Sequence, residues 1–382
     1  EKIFKKWSPA IFLGWSNIGF DDEMIRKEFF KGIRYPYITN SAPNKRHDGL
    51  NIARGAYAVD KSIFKTEINE KGNAIMKLES LARINGFESS GAHSAIFDAE
   101  LTMKILGLIK KRQPNTWESF FKTSNKLDTE TIFKKEKVIT LNEYFYGKSR
   151  LYLCAPLHPK HCIHPVYQWG QAIDLRVDVE ALLSLSINEL KKEMKKTPKF
   201  LRTIRSNKAP IILDQSYGIK EEPYNAIDPI LINKRADLVK NDEKFAQNIM
   251  IALREIAEEK EQSKSQEDIL AEESIYKKFT PNKDTNLFNA WHSASWKDKL
   301  SMLDKFEDER LIGFGKKIIF QESPETLPKS ILKQIQREIA SRILSEKKEK
   351  WWTCKEFYYE CDNLRDKYTN DNDQEKLKFL DQ

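Results

Sequence analysis

Long apolar runs are missing from this 382-residue chain, and with them any segment able to span a bilayer as a helix. The opening residues, Glu1-Lys2-Ile3-Phe4-Lys5-Lys6, lack the apolar core of a secretory signal. Cysteine is scarce. Cys154, Cys162, Cys354 and Cys361 are too few to staple a chain of this length, so reduced thiols are expected. No internal repeat is present, which excludes a solenoid. What remains is a soluble, intracellular, cytoplasmic protein with enough chain for two or three domains.

A formal charge of +8 suits a polyanionic partner. The chain is nevertheless rich in Lys, Ile and Asn, so much of the lysine excess reads as solvated helix surface. The informative cations are therefore arginines that lie near aromatic residues and candidate catalytic groups.

Three regions separate along the chain: 1–113, 114–265 and 266–382. In the first, Ala10–Trp15 reads as a buried strand followed by a helix from about Asp22 to Phe30. Ser94–Lys111 reads as a helix, because Ile96, Phe97, Leu101, Ile105, Leu108 and Ile109 recur at helical spacing. This alternation predicts an α/β domain. The second region carries short strand-like pieces at Leu151–Cys154, Val166–Trp169, Asp174–Val177, Phe200–Ile204 and Ile211–Leu213, with a helix near Ile187–Lys196. That pattern suggests a small barrel or a strongly bent sheet. The third region is charged and helical, with candidates at Ser295–Asp308, Ser330–Lys347 and Trp351–Asp366, and Gln262–Gln266 suits a linker before it.

Two segments of the first region can carry chemistry. Asn17-Ile18-Gly19-Phe20-Asp21-Asp22-Glu23 puts Asp21 just beyond a strand, where a helix begins. His93-Ser94-Ala95-Ile96-Phe97-Asp98 puts a histidine at a helix start and an aspartate about one turn inside. Strand ends and the adjoining helix starts are where open α/β sheets gather functional groups. Carboxylate oxygens suit Mg²⁺, with Mn²⁺ able to substitute, and two such ions can stabilise both oxygens of a phosphodiester displacement. A histidine close by can act as general base. Asp21 alone reads equally as a helix cap. Asp98, in an otherwise apolar helix, is expected to be buried and therefore paired or metal-bound. Cys154, His158, His161, Cys162 and His164 do not reproduce the paired spacings of structural zinc sites.

Asn17-x-x-Phe20-Asp21 resembles the second motif of the DEDD exonucleases, and His93-x-x-x-x-Asp98 resembles the third motif of their histidine-containing subgroup. Gly14–Glu23, Arg54-Gly55-Ala56-Tyr57-Ala58, Leu81–Gly86, Lys111-Arg112-Gln113-Pro114, Ala155–Pro159 and Asn207-Lys208-Ala209-Pro210 resemble the exodeoxyribonuclease I family in particular. The resemblance implies a partial ribonuclease-H-like exonuclease domain at 1–113, an SH3-like β-barrel domain at 114–265 and a C-terminal α-helical domain at 266–382. It implies a 3′→5′ exonuclease that degrades single-stranded DNA to 5′-mononucleotides with Mg²⁺, in DNA repair and recombination. Asp21 and Asp98 would be metal ligands and His93 the general base. Single-stranded DNA and single-stranded-DNA-binding protein are the implied partners, for a monomeric, nucleoid-associated enzyme that does not engage membranes.

One motif of the family has no counterpart here. Its opening strand carries Asp-x-Glu, whose i, i+2 spacing delivers two carboxylates to one face, and no such strand precedes Ile11. Asp128-Thr129-Glu130 has that spelling but reads as part of a polar helix or loop. The expectation is a chain shortened at its N-terminus, with a catalytically inactive single-stranded-DNA-binding remnant as the alternative. For the DNA path, Arg26, Lys31, Arg34, Tyr35, Tyr37, Arg46 and Arg54 interleave cations with rings, as single strands require. Arg202, Arg205 and Lys208 extend the candidates into the second region.

Overall fold

The computed structural model describes residues 1–88, 94–263 and 269–381. The chain divides into two compact units, one of Glu1–Arg26 with Tyr37–Asp268, the other of Lys27–Pro36 with Ile269–Gln382. The first two regions of the sequence thus share a unit.

The first unit opens with a short helix, α1 (Lys2–Trp7), and a strand, β1 (Ile11–Gly14). β1 is not the fully buried strand its apolar spelling predicts: Ile11 is exposed and the rest half-buried. It pairs in parallel with β2 (Lys45–Asp48), in the register Ile11↔Lys45 to Gly14↔Asp48. β2 is spelled Lys-Arg-His-Asp, and no hydropathy pattern would mark it as a strand. It can be buried because most of its polar groups are engaged, His47 Nε2 being the exception. The Arg46 guanidinium donates to the Asp22 carboxylate at 2.9 Å and to the Asn207 carbonyl at 2.7 Å. His47 Nδ1 accepts from the Asp48 amide at 2.8 Å, and Asp48 caps the helix that follows. Arg46 is therefore a structural cation and is closed to a nucleic acid.

After helix α2 (Asp21–Lys31) come α3 (Gly49–Val59), α4 (Leu78–Ile84) and α5 (Ala95–Arg112), close to the expected bounds where a helix was predicted. α3 and α5 bury Ile52, Ala53 and Ala56 against Ile105, Leu106 and Ile109. α6 (Pro114–Phe120) and α7 (Lys126–Lys135) follow, so Asp128-Thr129-Glu130 lies on a helix. Asp128 there pairs with Lys45 at 2.8 Å.

A five-stranded antiparallel sheet completes the unit: β3 (Ile139–Phe145), β4 (Lys148–Pro156), β5 (Gly170–Asp174), β6 (Leu201–Ile204) and β7 (Ile211–Leu213), in the order β6-β5-β4-β3-β7. Two expected strands shift. Val166–Trp169 forms a turn, and the strand expected at Asp174–Val177 instead ends at Asp174. β3 was not anticipated, nor were the helices Pro229–Asn241 and Glu243–Gln262. The second of these helices runs through the start of the proposed linker; 264–266 lie outside the described residues. Inside the sheet, Asp174 and Arg202 are buried together at 2.9 Å, with Glu143 closing the pair and the Tyr224 hydroxyl donating to Asp174 at 2.7 Å. Gly55 of α3 faces Ile211 of β7 so closely that a β-carbon would sit 2.8 Å from its Cγ2.

The second unit is built from helices, including Asn282–Ser293, Trp296–Met302, Glu309–Glu322, Lys329–Ile343 and Cys354–Asn370. Its core gathers Phe30, Ile33, Phe288, Trp291, Leu311 and Phe314. The helix expected over Ser295–Asp308 stops at Met302 and tightens into a 3₁₀ turn, Leu303–Lys305.

Candidate active site

The site grows from the end of β1. Beyond Gly14 the chain turns through Ser16 and Asn17 into α2, with the Asp22 amide donating to the Asn17 carbonyl at 2.9 Å. The turn is held from below by Asp48, whose carboxylate accepts from the Ser16 amide at 3.0 Å and the Leu50 amide at 2.9 Å. Burial raises the Asp48 pKa, while these amide hydrogen bonds pull the other way. One carboxylate thus fixes both the exit from β1 and the start of α3.

This turn delivers Asp21 and Asp22 in different directions. Asp21 is exposed, whereas Asp22 is 3% exposed and committed to Arg46. Asp22 is therefore an anchor of the cleft wall. Burial lowers the Arg46 pKa, opposed by the adjacent Asp22. From the other side, α5 presents Asp98 in its first turn, with the Thr102 hydroxyl donating to the Asp98 carbonyl at 2.8 Å. Asp98 is half-exposed rather than buried, so the burial cost expected from its apolar surroundings does not arise.

Asp21 and Asp98 line one cleft of about 700 Å³, together with Gly14, Trp15, Asn17 and Thr102. Asn17 is 6% exposed, and its Oδ1 has no hydrogen-bond partner although it sits on the cleft wall. A buried carbonyl oxygen without a donor is costly, and such an atom is suited to a cation or a bound donor. Glu79, which sequence reasoning passed over, also lines the cleft. Among the described residues, no three His, Cys, Asp or Glu side chains converge closely enough to hold a metal. His93 lies outside the described residues.

The expected DNA contacts divide sharply. Arg26 is 5% exposed and spends its guanidinium on Glu23, Asn40 Oδ1 and the Tyr37 ring, 5.4 Å away. It stiffens α2 and its neighbouring loop and is closed to a phosphate, whereas Tyr37 is half-buried. Arg34 and Tyr35 belong to the second unit. Lys208 stays close to the cleft: its ammonium reaches the Ile18 carbonyl at 3.3 Å and Glu23 at 3.4 Å. Arg205 is exposed and lies over the Trp169 ring at 4.9 Å. Arg54 lies over the Tyr144 ring, 3.7 Å from its centroid. His47, fully buried, has its pKa pushed down to about 4 by loss of solvation, so it is neutral at neutral pH. Asp48 had a readable signal, an aspartate directly before an apolar-periodic helix. Nothing in the spelling of residues 45–47 betrayed the strand.

No family model matches the chain. Among curated proteins, it is 29% identical over 262 residues to exodeoxyribonuclease I of Buchnera aphidicola subsp. Acyrthosiphon pisum, which covers 64% of this chain and 60% of that protein. It is 26% identical over 333 residues to exodeoxyribonuclease I of Escherichia coli, covering 83% and 62%. The chain thus spans about three fifths of the length of these relatives. Among solved structures, E. coli exonuclease I in complex with a dA16 oligonucleotide superposes with a TM-score of 0.75, at 20% identity, over 100% of this chain and 81% of that one. Exonuclease I from Methylocaldum szegediense gives 0.74, at 21% identity, over 95% and 78%. In sequence the chain is a relative of exodeoxyribonuclease I, and in fold it matches the same protein.

Proposed function

We propose that this chain belongs to a 3′→5′ exonuclease that releases 5′-mononucleotides from single-stranded DNA. The observation that carries the reading is the meeting of Asp21 and Asp98 in one cleft, from two motifs far apart in sequence, beside the unpartnered oxygen of Asn17. These are hard oxygen donors, appropriate to Mg²⁺ or Mn²⁺. They make only part of the donor set that two ions need. When bound, the ions would neutralise charge developing on the scissile phosphate. The chain's own residues would orient that phosphate: Lys208 beside the cleft, with Arg54 and Arg205 along the path. His93 is the proposed acceptor of the proton from the attacking water. In the same reading the five-stranded sheet belongs to an SH3-like domain within 114–265, residues 1–113 to the exonuclease domain and 266–382 to a helical one. Single-stranded DNA is the substrate, single-stranded-DNA-binding protein a partner, and DNA repair and recombination the setting. E. coli exonuclease I has been solved with DNA oligonucleotides, and as an ExoI/SSB-Ct complex.

The alternative is single-strand binding without hydrolysis. A 3′-labelled oligonucleotide separates the two. Hydrolysis that requires Mg²⁺ and falls about 100-fold or more in Asp98→Asn supports the nuclease. Retention of the oligonucleotide with no hydrolysis at any Mg²⁺ concentration supports the binder, and failure of both overturns the reading.

A further inference from the structure

A second cleft in the first unit is lined by the hairpin joining β3 to β4, at Phe145, Tyr146 and Lys148, with a volume of about 880 Å³. It shares none of the residues that line the Asp21–Asp98 cleft. We propose that it is a subsite for single-stranded nucleic acid, in which Phe145 and Tyr146 stack on unpaired bases while Lys61, Lys148 and Arg150 hold the backbone. The proposal rests on the nuclease reading above and extends it to where a longer strand would run.

Three independent features support it. The first is the hairpin tip. Phe145 pairs with Lys148, so Tyr146 and Gly147 form a two-residue turn, and both have positive φ, 51° and 80°. That turn prefers Asn-Gly, and a tyrosine in the left-handed region costs about 1 kcal/mol. The Asn73 amide donates to the Tyr146 carbonyl at 3.2 Å, but the ring itself is 94% exposed, so its own packing repays none of that strain. Strained backbone that holds an open ring outward is found at binding sites. The second is charge. Lys61, Lys148, Arg150 and Lys220 line the cleft, and among the described residues none of them meets a carboxylate in an ion pair. Glu221 and Glu222 also line it, leaving cations in excess. The third is Arg54, whose guanidinium covers Tyr144 at the root of the same hairpin, and whose carbonyl accepts from the Ser149 hydroxyl at 3.0 Å. The hairpin is thereby tied to α3, the helix that Asp48 caps.

Chemistry favours a nucleic acid over an acidic peptide. A peptide carboxylate is captured by cations converging on one point. Here cations are strung along a cleft beside two open aromatic rings, the arrangement that suits repeated phosphates and bases.

The test uses the full chain in EDTA, so that no strand is hydrolysed, with fluorescent dT16 as the probe. Tyr146→Asn removes the ring while giving the turn its preferred residue, so folding should be preserved or improved. Affinity for dT16 should fall about tenfold in Tyr146→Asn with an unchanged salt dependence, as loss of one stacked base requires. In Arg150→Glu it should fall by at least as much, with a shallower salt dependence. Unchanged dT16 affinity in both variants overturns the subsite and leaves the nuclease reading standing. Unchanged dT16 affinity together with loss of binding to an acidic, carboxylate-terminated peptide overturns it in favour of a peptide site. If the unaltered chain binds no dT16, the nuclease reading falls first, and this subsite with it.

Discussion

Asp21 and Asp22 are adjacent in sequence, yet the fold gives them opposite work. Asp21 faces the cleft in the open, whereas Asp22 is buried on Arg46. Removing one partner of a buried pair strands the other charge, so Asp22→Ala should cost about 3–5 kcal/mol in denaturant unfolding. Asp21→Ala should change stability by no more than about 0.5 kcal/mol while abolishing metal-dependent hydrolysis. The reverse pattern, a stable Asp22→Ala and an unstable Asp21→Ala, would exchange their roles. His47 supplies a pH dependence. Its folded pKa of about 4 lies below the ordinary value of 6.5, so the unfolded chain takes up the proton first. The stability contributed by neutral His47 is complete above pH 6.5 and lost progressively as pH falls toward 4, about 3 kcal/mol in all. Unfolding of the protein and of His47→Asn, measured across that range, should show the steeper decline in the former.

At the scale of elements, apolar periodicity made α2 and α5 legible to within a residue or two, because each has a face that must be buried. It failed where burial is achieved by pairing instead. β2 is the clearest case: its four residues are all polar, and their partners, Asp22 and the Asn207 carbonyl for Arg46, lie far away in sequence. The candidate site shows the same division. The two motifs bearing Asp21 and Asp98 could be read directly, but the closure of Arg26 by Glu23, Asn40 and Tyr37 depends on loop geometry that no spacing encodes. Contact between elements also sets a limit that can be measured. Gly55→Ala would drive a methyl group into Ile211, where α3 meets β7, and should destabilise the protein by about 1–3 kcal/mol. Gly55→Ala with Ile211→Val should recover part of that loss, and no recovery would mean that the clash is not the cause.

For the whole molecule, the net charge of +8 says less than the placement of a few cations. Arg26 and Arg46 are internal, whereas Arg205 and Lys208 keep access to solvent. The logarithm of oligonucleotide affinity should therefore fall linearly with the logarithm of salt concentration. Replacing either Arg205 or Lys208 by Ala should flatten that line by about 0.7 per lost phosphate contact. An unaltered slope in both would remove them from the path. The separation into two units explains why Arg34 and Tyr35, read as part of one continuous basic and aromatic stretch, fall with a different body from Arg26 and Tyr37. The all-polar strand has a consequence for how this protein tolerates change. In a saturation scan of the chain, Arg46, His47 and Asp48 should be as intolerant as any greasy core position. Chemically mild exchanges such as Arg46→Lys should fail there too, because each side chain is fitted to a particular donor–acceptor geometry. A ranking of positions by hydrophobicity alone would therefore leave some of the most fragile residues in the protein among the expendable ones.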